Sequence, residues 1–118
     1  MSGRQERFIP QQAARLQEKR RKREEQEHDA LIADFRRVLA TAEGLRVLWF
    51  VLSQGFIFRS CFTGNASTYF NEGKRDLGLR ILEIVDEADS SAFEAMRREE
   101  RRRAAEREER EKAEKTGA

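Results

Sequence analysis

Most of the large apolar side chains of this chain lie in residues 45–85, which read LRVLWFVLSQGFIFRSCFTGNASTYFNEGKRDLGLRILEIV. The stretches on either side read QEKRRKREEQEH at 17–28 and MRREERRRAAEREEREKAEK at 96–115, and both consist almost entirely of helix-forming charged residues. One small core can form around the central stretch, and the flanks have too few apolar side chains to join it. A compact centre with two charged arms is typical of a component of an assembly rather than of a self-contained catalyst.

The charge distribution divides the chain into three parts. Residues 1–28 carry eight basic and five acidic side chains, residues 29–96 carry seven and ten, and residues 97–118 carry nine and seven. We predict a charged, partly helical N-terminal arm at 1–28, a helical core domain at 29–96, and a charged helical C-terminal tail at 97–118. A core of roughly 65 residues buries a low fraction of its surface. A homo-oligomer, or docking on a partner, would therefore add stability that one chain does not supply.

The single cysteine, Cys61, and the single histidine, His28, limit the chemistry that the chain can support. No disulfide can form within one chain, which suits a reducing compartment. A structural zinc site needs about four nitrogen or sulfur ligands, so we expect no metal and no cofactor. We predict that His28 is a solvated surface residue and that Cys61 is a small buried hydrophobe. No pattern in the sequence supports catalysis, and we predict a protein that is not an enzyme.

No apolar run of the chain approaches the ~20 residues that are needed to span a bilayer. The polar N-terminal residues also lack the apolar stretch of a signal peptide. Neither charged arm has an apolar face that could insert into a membrane surface. We therefore expect a soluble protein without membrane contacts in the cytoplasm of the cell that makes it.

A first helix is predicted from Pro10 to about Ala40, after a disordered segment at residues 1–9. Proline fits the first turn of a helix, where its missing N–H costs nothing. The charged lead-in then continues into an apolar stripe at helical spacing, formed by Leu31, Phe35, Val38 and Leu39.

A second helix is predicted after Thr41, which can cap it, with Glu43 in its first turn and Gly55 at its end. One face contains Leu45, Leu48, Trp49, Leu52 and Phe56, and the other side contains Val47, Phe50 and Val51. A helix that is apolar nearly all round is either central in its domain or meets another chain. Because this helix has more apolar surface than one core face requires, we predict that Val47, Phe50 and Val51 face a partner.

A third helix is predicted from a cap at Asn65 or Ser67 to about Asp86. Its predicted buried stripe consists of Phe70, Gly73, Leu77, Gly78, Ile81, Leu82, Ile84 and Val85. Each helical glycine costs roughly 1 kcal/mol relative to alanine, so close approach of another backbone is the expected reason for Gly73 and Gly78.

A fourth helix is predicted to open with the capping box Ser91-Ala92-Phe93-Glu94. Phe93 and Met96 are its expected anchors, and a solvated helix follows. We thus predict an all-α fold: a small three- to four-helix domain packed around Trp49 and the Gly73/Gly78 face, with long charged helical N- and C-terminal arms.

The most site-like polar residues are Asn71, Glu72, Lys74 and Arg75. They can form a recognition patch, and we include Asn71, Glu72 and Arg75 among the candidate partner-binding residues. The alternative, which we favour, is a polar lock that holds the FIFRSCF segment at 56–62 against the third helix. A segment with aromatic residues throughout needs partners for its backbone polar groups.

Five consecutive cations provide the strongest indication of nucleic-acid binding: Lys19, Arg20, Arg21, Lys22 and Arg23. Such clusters bind phosphate without sequence preference and in a salt-dependent way. Glu18, Glu24, Glu25 and Glu27 flank the run and would repel the same polyanion, and no aromatic residue is interleaved for base stacking. Non-specific DNA contact is therefore an alternative function rather than the leading one.

The stretch from Gly44 to Val85 resembles a family of small tailed-phage proteins, chiefly from short-tailed phages. The resemblance rests on a G-[LR]-R-V-L-W type helix start at Gly44–Trp49, an aromatic loop at Phe56–Phe62, and an F-N-E-G-x-R segment at Phe70–Arg75 followed by Gly78. It covers about a third of the chain and neither arm. Members of that family are typically encoded among the head-assembly genes, near those for portal, scaffold and capsid.

The resemblance implies a virion or head-morphogenesis protein and supplies no mechanism. Our leading hypothesis is a non-enzymatic phage protein whose helical core contacts a portal, capsid or internal-core protein, first in the host cytoplasm and then in the virion. The alternative is a DNA-binding accessory protein that uses Lys19 to Arg23. A small host-directed inhibitor would have the same sequence features.

Overall fold

The described residues form four α-helices and no strand in a computed structural model of the chain. These residues are 2–55, 60 and 62–117, with side chains described from Pro10 onward. The helices are α1 (Ser2–Leu39), α2 (Ala42–Gln54), α3 (Ser67–Ala88) and α4 (Ala92–Thr116). The predicted all-α fold is confirmed. Phe56 and Cys61, with the predictions made for them, lie outside the described residues.

The charged lead-in and the apolar stripe form one continuous helix, as predicted, but its start was predicted wrongly. Helix α1 begins at Ser2, and Pro10 lies inside it. A proline removes one backbone hydrogen bond from a helix interior, and the helix formers on both sides of Pro10 continue the helix through it. The expected disorder of residues 1–9 is therefore replaced by helix from Ser2 onward.

A tight turn joins α1 to α2. Thr41 is the N-cap of α2, as predicted, and its Oγ1 accepts a hydrogen bond of 2.9 Å from the Gly44 N–H. The same hydroxyl donates to the Val38 carbonyl at 2.9 Å. A Cβ added at Gly44 would overlap that carbonyl, so only glycine lets α2 begin this close to the end of α1.

The core lies where all four helices meet. Its buried apolar side chains are Ile32, Leu39, Leu52, Val85, Ala88, Ala92 and Met96. We call Leu52, Val85 and Met96 the central seam, because each has 0% exposed surface and they come from three different helices. Trp49 is only partly buried and packs beside the seam, with its ring centroid 6.2 Å from that of Phe93. Helix α2 packs mainly on α4, and α1 mainly on α3.

The buried face of α3 is shifted from the predicted stripe. Gly78 and Val85 are buried as predicted, and Ile81, Leu82 and Ile84 are partly buried. Phe70, Gly73 and Leu77 are exposed, so their assignment to the core was wrong. The reason is that α3 meets α2 at Gly55 and Gly78, and these three positions precede that crossing. The periodicity of apolar residues identifies which face of a helix can be buried. It does not show how far along the helix a neighbouring helix covers that face.

Helix α4 begins differently from the predicted capping box. Ser91 makes no side-chain cap hydrogen bond to α4. Its hydroxyl and its N–H instead donate to Asp89 Oδ1, at 2.7 and 2.9 Å, and both bonds hold the pKa of Asp89 below its ordinary value. Met96 is buried and Phe93 partly buried, as expected for anchors, and Ala92 is a third anchor that we did not predict.

The molecule is strongly elongated, with extents of 91 × 40 × 20 Å and a radius of gyration of 23.1 Å. A compact chain of this length would have a radius of gyration of about 13 Å. The extra length comes from the charged ends of α1 and α4. Every side chain from Pro10 to Glu27 is exposed, and so is every described side chain after Glu100 except that of Ala104.

Candidate interaction surface

A groove runs between the C-terminal half of α2 and the middle of α3. It has a volume of about 360 Å³ and is lined by Phe50, Val51, Gln54, Gly55, Lys74, Leu77, Gly78 and Ile81. Its floor is the point where the two helices come closest, because a Cβ added at Gly55 would lie only 2.8 Å from the Gly78 Cα. The predicted close backbone approach is therefore confirmed for Gly78. It is wrong for Gly73, where an added Cβ meets nothing within 4 Å among the described residues.

Large apolar side chains stand exposed along this groove. Val47 and Phe50 of α2 are 56% and 62% exposed, and Phe70 and Leu77 of α3 are 66% and 63% exposed. We call these four residues the α2–α3 surface. Phe50 and Leu77 line the groove. Val47 lies one turn before Phe50 on α2, and Phe70 lies two turns before Leu77 on α3, so a single partner could cover all four together.

Two of the four residues of the α2–α3 surface were predicted from the sequence to lie outside the core. Val47 and Phe50 lie on the outward side of α2, as expected, and Val51 is partly buried in the groove wall. Phe70 and Leu77 were assigned to the core, and no sequence signal that we recognise would have separated them from it. Along α3 they share the face that also contains Lys74, whose Nζ lies 4.7 Å from the centroid of the Phe70 ring.

The predicted polar cluster divides between two faces of α3. Asn71 and Arg75 are partly buried and lie at i and i+4 on the face that leads to Gly78. Glu72 is exposed, and it lines a second cavity of about 410 Å³ with Phe62, Gly64, Asn65, Thr68 and Tyr69. The predicted lock concerns the FIFRSCF segment, of which 56–59 and 61 lie outside the described residues.

The loop before α3 is held by short side chains. The N-cap residue of α3 is Ala66, which makes no side-chain cap hydrogen bond, so the predicted cap at Asn65 or Ser67 was wrong. Asn65 precedes it, and its Oδ1 accepts hydrogen bonds from the Ser67 N–H at 2.9 Å and the Ser67 hydroxyl at 2.6 Å. The Thr63 hydroxyl donates to the same oxygen at 2.9 Å, and the Thr63 N–H donates to Thr68 Oγ1 at 3.0 Å. Gly64 has a φ of 78°, in the left-handed region that favours glycine. These bonds fix one wall of the Glu72 cavity.

The five predicted nucleic-acid-binding cations, Lys19 to Arg23, are all exposed on α1. Arg21 pairs with two carboxylates of the same helix, at 2.7 Å from Glu18 and 2.9 Å from Glu25. The hydrogen bond and the charge of Arg21 hold the pKa of Glu18 below its ordinary value. The five cations are therefore not equivalent, because Arg21 is already paired with carboxylates of its own helix.

Two polar contacts connect the arms to the core. His28 Nε2 lies 2.9 Å from Glu87 Oε1 on α3. The histidine is partly exposed at the surface, as predicted, but it contacts a carboxylate of the core domain that the sequence did not indicate. At the other arm, Arg46 of α2 donates to Glu99 of α4 at 3.2 Å. Glu99 also pairs with Arg102, and chiefly the hydrogen bond from Arg102 holds the pKa of Glu99 below its ordinary value.

The described ranges contain neither a metal-binding cluster nor a membrane-spanning helix. No group of three or more histidine, cysteine, aspartate and glutamate side chains is arranged there to hold a metal ion. None of the helices has a stretch long and apolar enough to cross a membrane, as far as the described residues extend.

Comparison with known proteins identifies the family. A model of the Bbp19-like phage proteins matches residues 35–105, which is more than half of the chain. The chain belongs to the Bbp19-like phage protein family. The predicted resemblance to a phage protein family is thereby confirmed. A search of curated proteins and a search of solved structures each found no match.

The Bbp19-like match covers the helical centre and the first part of the C-terminal arm, but none of the N-terminal arm at 1–28. It begins at Phe35 in the last part of α1 and ends at Ala105 in α4. The central seam and the α2–α3 surface both lie inside it. The basic run at 19–23 lies outside it, so the family assignment and the charge of the α1 arm are independent observations.

Proposed function

We propose that this phage protein is a non-enzymatic component of head morphogenesis or of the virion, and that it acts through protein–protein contacts of its helical core. The observation that carries the proposal is the α2–α3 surface, with four large apolar side chains more than half exposed, two of which, Phe50 and Leu77, line one groove. Clustered exposed apolar side chains at a concave site are typical of protein interaction surfaces.

The chemistry of the surface fits a protein partner. Phe50 and Phe70 are aromatic side chains of the kind that carries much of the binding energy in interfaces. Lys74 lies within the groove lining and provides a polar group at the edge of the apolar patch. A partner that inserts an apolar side chain between Phe50 and Leu77 would cover both and reach the groove floor at Gly55 and Gly78.

Family membership supports a phage protein, and we propose a portal, capsid or internal-core protein as its partner. The proposal includes two finer assignments: a short-tailed phage as the source, and a gene within the head-assembly cluster. The protein would then be present in the host cytoplasm during assembly and in the mature particle. Asn71, Glu72 and Arg75 lie between Phe70 and Leu77 in the sequence of α3, and in this proposal they contribute polar contacts beside the apolar patch.

The test is a Phe50→Glu substitution in the phage genome, followed by mass spectrometry of purified DNA-filled particles. The copies of this protein are counted against the capsid protein. We expect the wild-type protein in particles and the Phe50→Glu protein to be absent, because a buried carboxylate would oppose docking. The purified variant should unfold at the wild-type temperature, since Phe50 is 62% exposed.

Leu16→Glu is the matched control, because Leu16 is also 62% exposed but lies on the α1 arm. It adds the same charge away from the α2–α3 surface and should leave incorporation unchanged. If both variants were equally depleted from particles, the added charge alone would explain the loss, and this result would contradict the proposal. Absence of the wild-type protein from particles would remove the virion assignment, and unfolding of the Phe50→Glu monomer would show that Phe50 belongs to the core.

A further inference from the structure

The basic run of α1 separates into two groups when its side chains are followed around the helix. With about 100° between consecutive residues, Arg15, Lys19 and Arg23 lie along one side at i, i+4 and i+8, and Lys22 lies at its edge. We call these four residues the cationic stripe. All four are exposed, and no ion pair joins any of them to a carboxylate among the described residues.

Carboxylates flank the stripe on both edges, and those on one edge are paired. Arg21 pairs with Glu18 and Glu25, and the charge of Lys22, four residues after Glu18, also lowers the pKa of Glu18. Arg21 balances one of the two glutamate charges, so the repulsion between this edge and a polyanion is reduced. Glu27, four residues after Arg23, lies at the other edge of the stripe.

The α4 arm has a similar composition, and Arg103, Arg107 and Arg110 also lie along one side of it at i, i+4 and i+7. Its cations are more often paired, because Arg97, Arg102 and Arg107 each pair with a glutamate of the same helix. The row on α4 is therefore interrupted by the pair of Arg107 with Glu100, whereas no ion pair joins a cation of the α1 stripe to a carboxylate among the described residues.

We propose that the cationic stripe binds the phosphate backbone of double-stranded DNA without sequence preference. The stripe rises about 12 Å from Arg15 to Arg23, along which a duplex presents roughly seven phosphate charges. Every side chain from Pro10 to Glu27 is exposed, so this part of α1 can approach a duplex without interference from the core. A helix of this diameter also fits the major groove, which is about 12 Å wide.

Two alternatives for the partner fit the stripe less well. Single-stranded nucleic acid is usually bound with aromatic side chains that stack on the bases, and no aromatic residue lies between Pro10 and Glu27. A protein partner would be expected to bury apolar side chains at the centre of the contact, and Leu16 is the single large apolar residue near the stripe. Phosphate contacts need only charge and hydrogen-bond donors.

The test measures binding of the full chain to a fluorescently labelled 20-base-pair duplex of arbitrary sequence at 50 and 200 mM salt. Four phosphate contacts predict that affinity falls roughly 100-fold between these salt concentrations. The Lys19→Gln/Lys22→Gln/Arg23→Gln variant should lose most of the binding and most of the salt dependence. Circular dichroism of this variant should show the same helical content and the same unfolding temperature as the wild type.

The control variant is Arg103→Gln/Arg110→Gln/Lys112→Gln, which removes three exposed cations of α4 and changes the net charge equally. It should bind the duplex as the wild type does. Equal loss in both variants would show that net charge alone attracts DNA and would overturn the proposal. It would also be overturned if the wild type fails to bind at 50 mM salt, or if poly-glutamate competes as well as unlabelled duplex. None of these outcomes affects the proposed role of the α2–α3 surface.

Discussion

The central seam and the α2–α3 surface both take large apolar side chains from α2 and α3, yet they differ completely in burial. Leu52 lies only two residues after Phe50 on α2, and it is 0% exposed while Phe50 is 62% exposed. On α3, Val85 is 0% exposed and Leu77, eight residues earlier, is 63% exposed. Hydrophobicity alone therefore does not distinguish the core of this protein from its proposed docking surface. The position of the neighbouring helices does.

The largest loss of stability is expected when a side chain of the central seam is shortened. Met96→Ala removes a side chain with 0% exposure that anchors α4, and we expect the free energy of unfolding to fall by about 2–5 kcal/mol. Urea denaturation followed by circular dichroism measures the loss. A change below about 1 kcal/mol would mean that α4 contributes little to the core, and that the contrast between seam and surface is weaker than the burial indicates.

An intermediate effect is expected at the floor of the groove, where the two regions meet. Gly55 has a φ of −85°, which any residue can adopt, but an added Cβ would lie 2.8 Å from the Gly78 Cα and 3.2 Å from the Lys74 carbonyl oxygen. Gly55→Ala should therefore push α2 away from α3 and lower the free energy of unfolding by about 1–3 kcal/mol.

Gly73→Ala provides the matched control for Gly55→Ala. An added Cβ there meets nothing within 4 Å among the described residues, and alanine favours the helix over glycine, so stability should rise by roughly 0.5–1 kcal/mol. The same chemical change thus has opposite signs at two glycines. Thermal unfolding of both variants checks this, and destabilisation by Gly73→Ala would mean that Gly73 is packed after all.

The smallest effect on stability is expected on the α2–α3 surface. Leu77→Ala shortens a side chain that is 63% exposed, and we expect the free energy of unfolding to change by no more than about 0.5 kcal/mol. Urea denaturation beside the Met96→Ala variant gives the comparison directly. A loss above about 2 kcal/mol would place Leu77 in the core, as the sequence periodicity suggested, and would reduce the proposed docking surface to α2 alone.

The sequence predicted the helices better than it predicted their contacts. The cap at Thr41, the end of α2 at Gly55 and the continuity of the charged lead-in with the apolar stripe were all predicted from local patterns, which act within one helix. The capping box at Ser91 failed because Ser91 has helical dihedral angles, φ −94° and ψ −4°, instead of the extended ones of a capping residue. The contact of His28 with Glu87 was not predicted because the two residues are distant in sequence.

The candidate sites show the same division. Val47 and Phe50 were identifiable because α2 is apolar nearly all round, which no single core face requires. Phe70 and Leu77 were not, because they continue a stripe that is buried farther along α3. On α1, the sequence indicated five equivalent cations, and the pairing of Arg21 with Glu18 and Glu25 shows that they are not equivalent.

The sequence by itself thus determined that this phage protein is helical, with an apolar centre and charged ends, because helix propensity and amphipathic period are properties of consecutive residues. Only the tertiary structure decided which apolar residues are core and which are surface. Burial depends on where helices cross, and the crossing of α2 and α3 is set by two glycines, Gly55 and Gly78, that are distant in sequence and come together only in the folded chain.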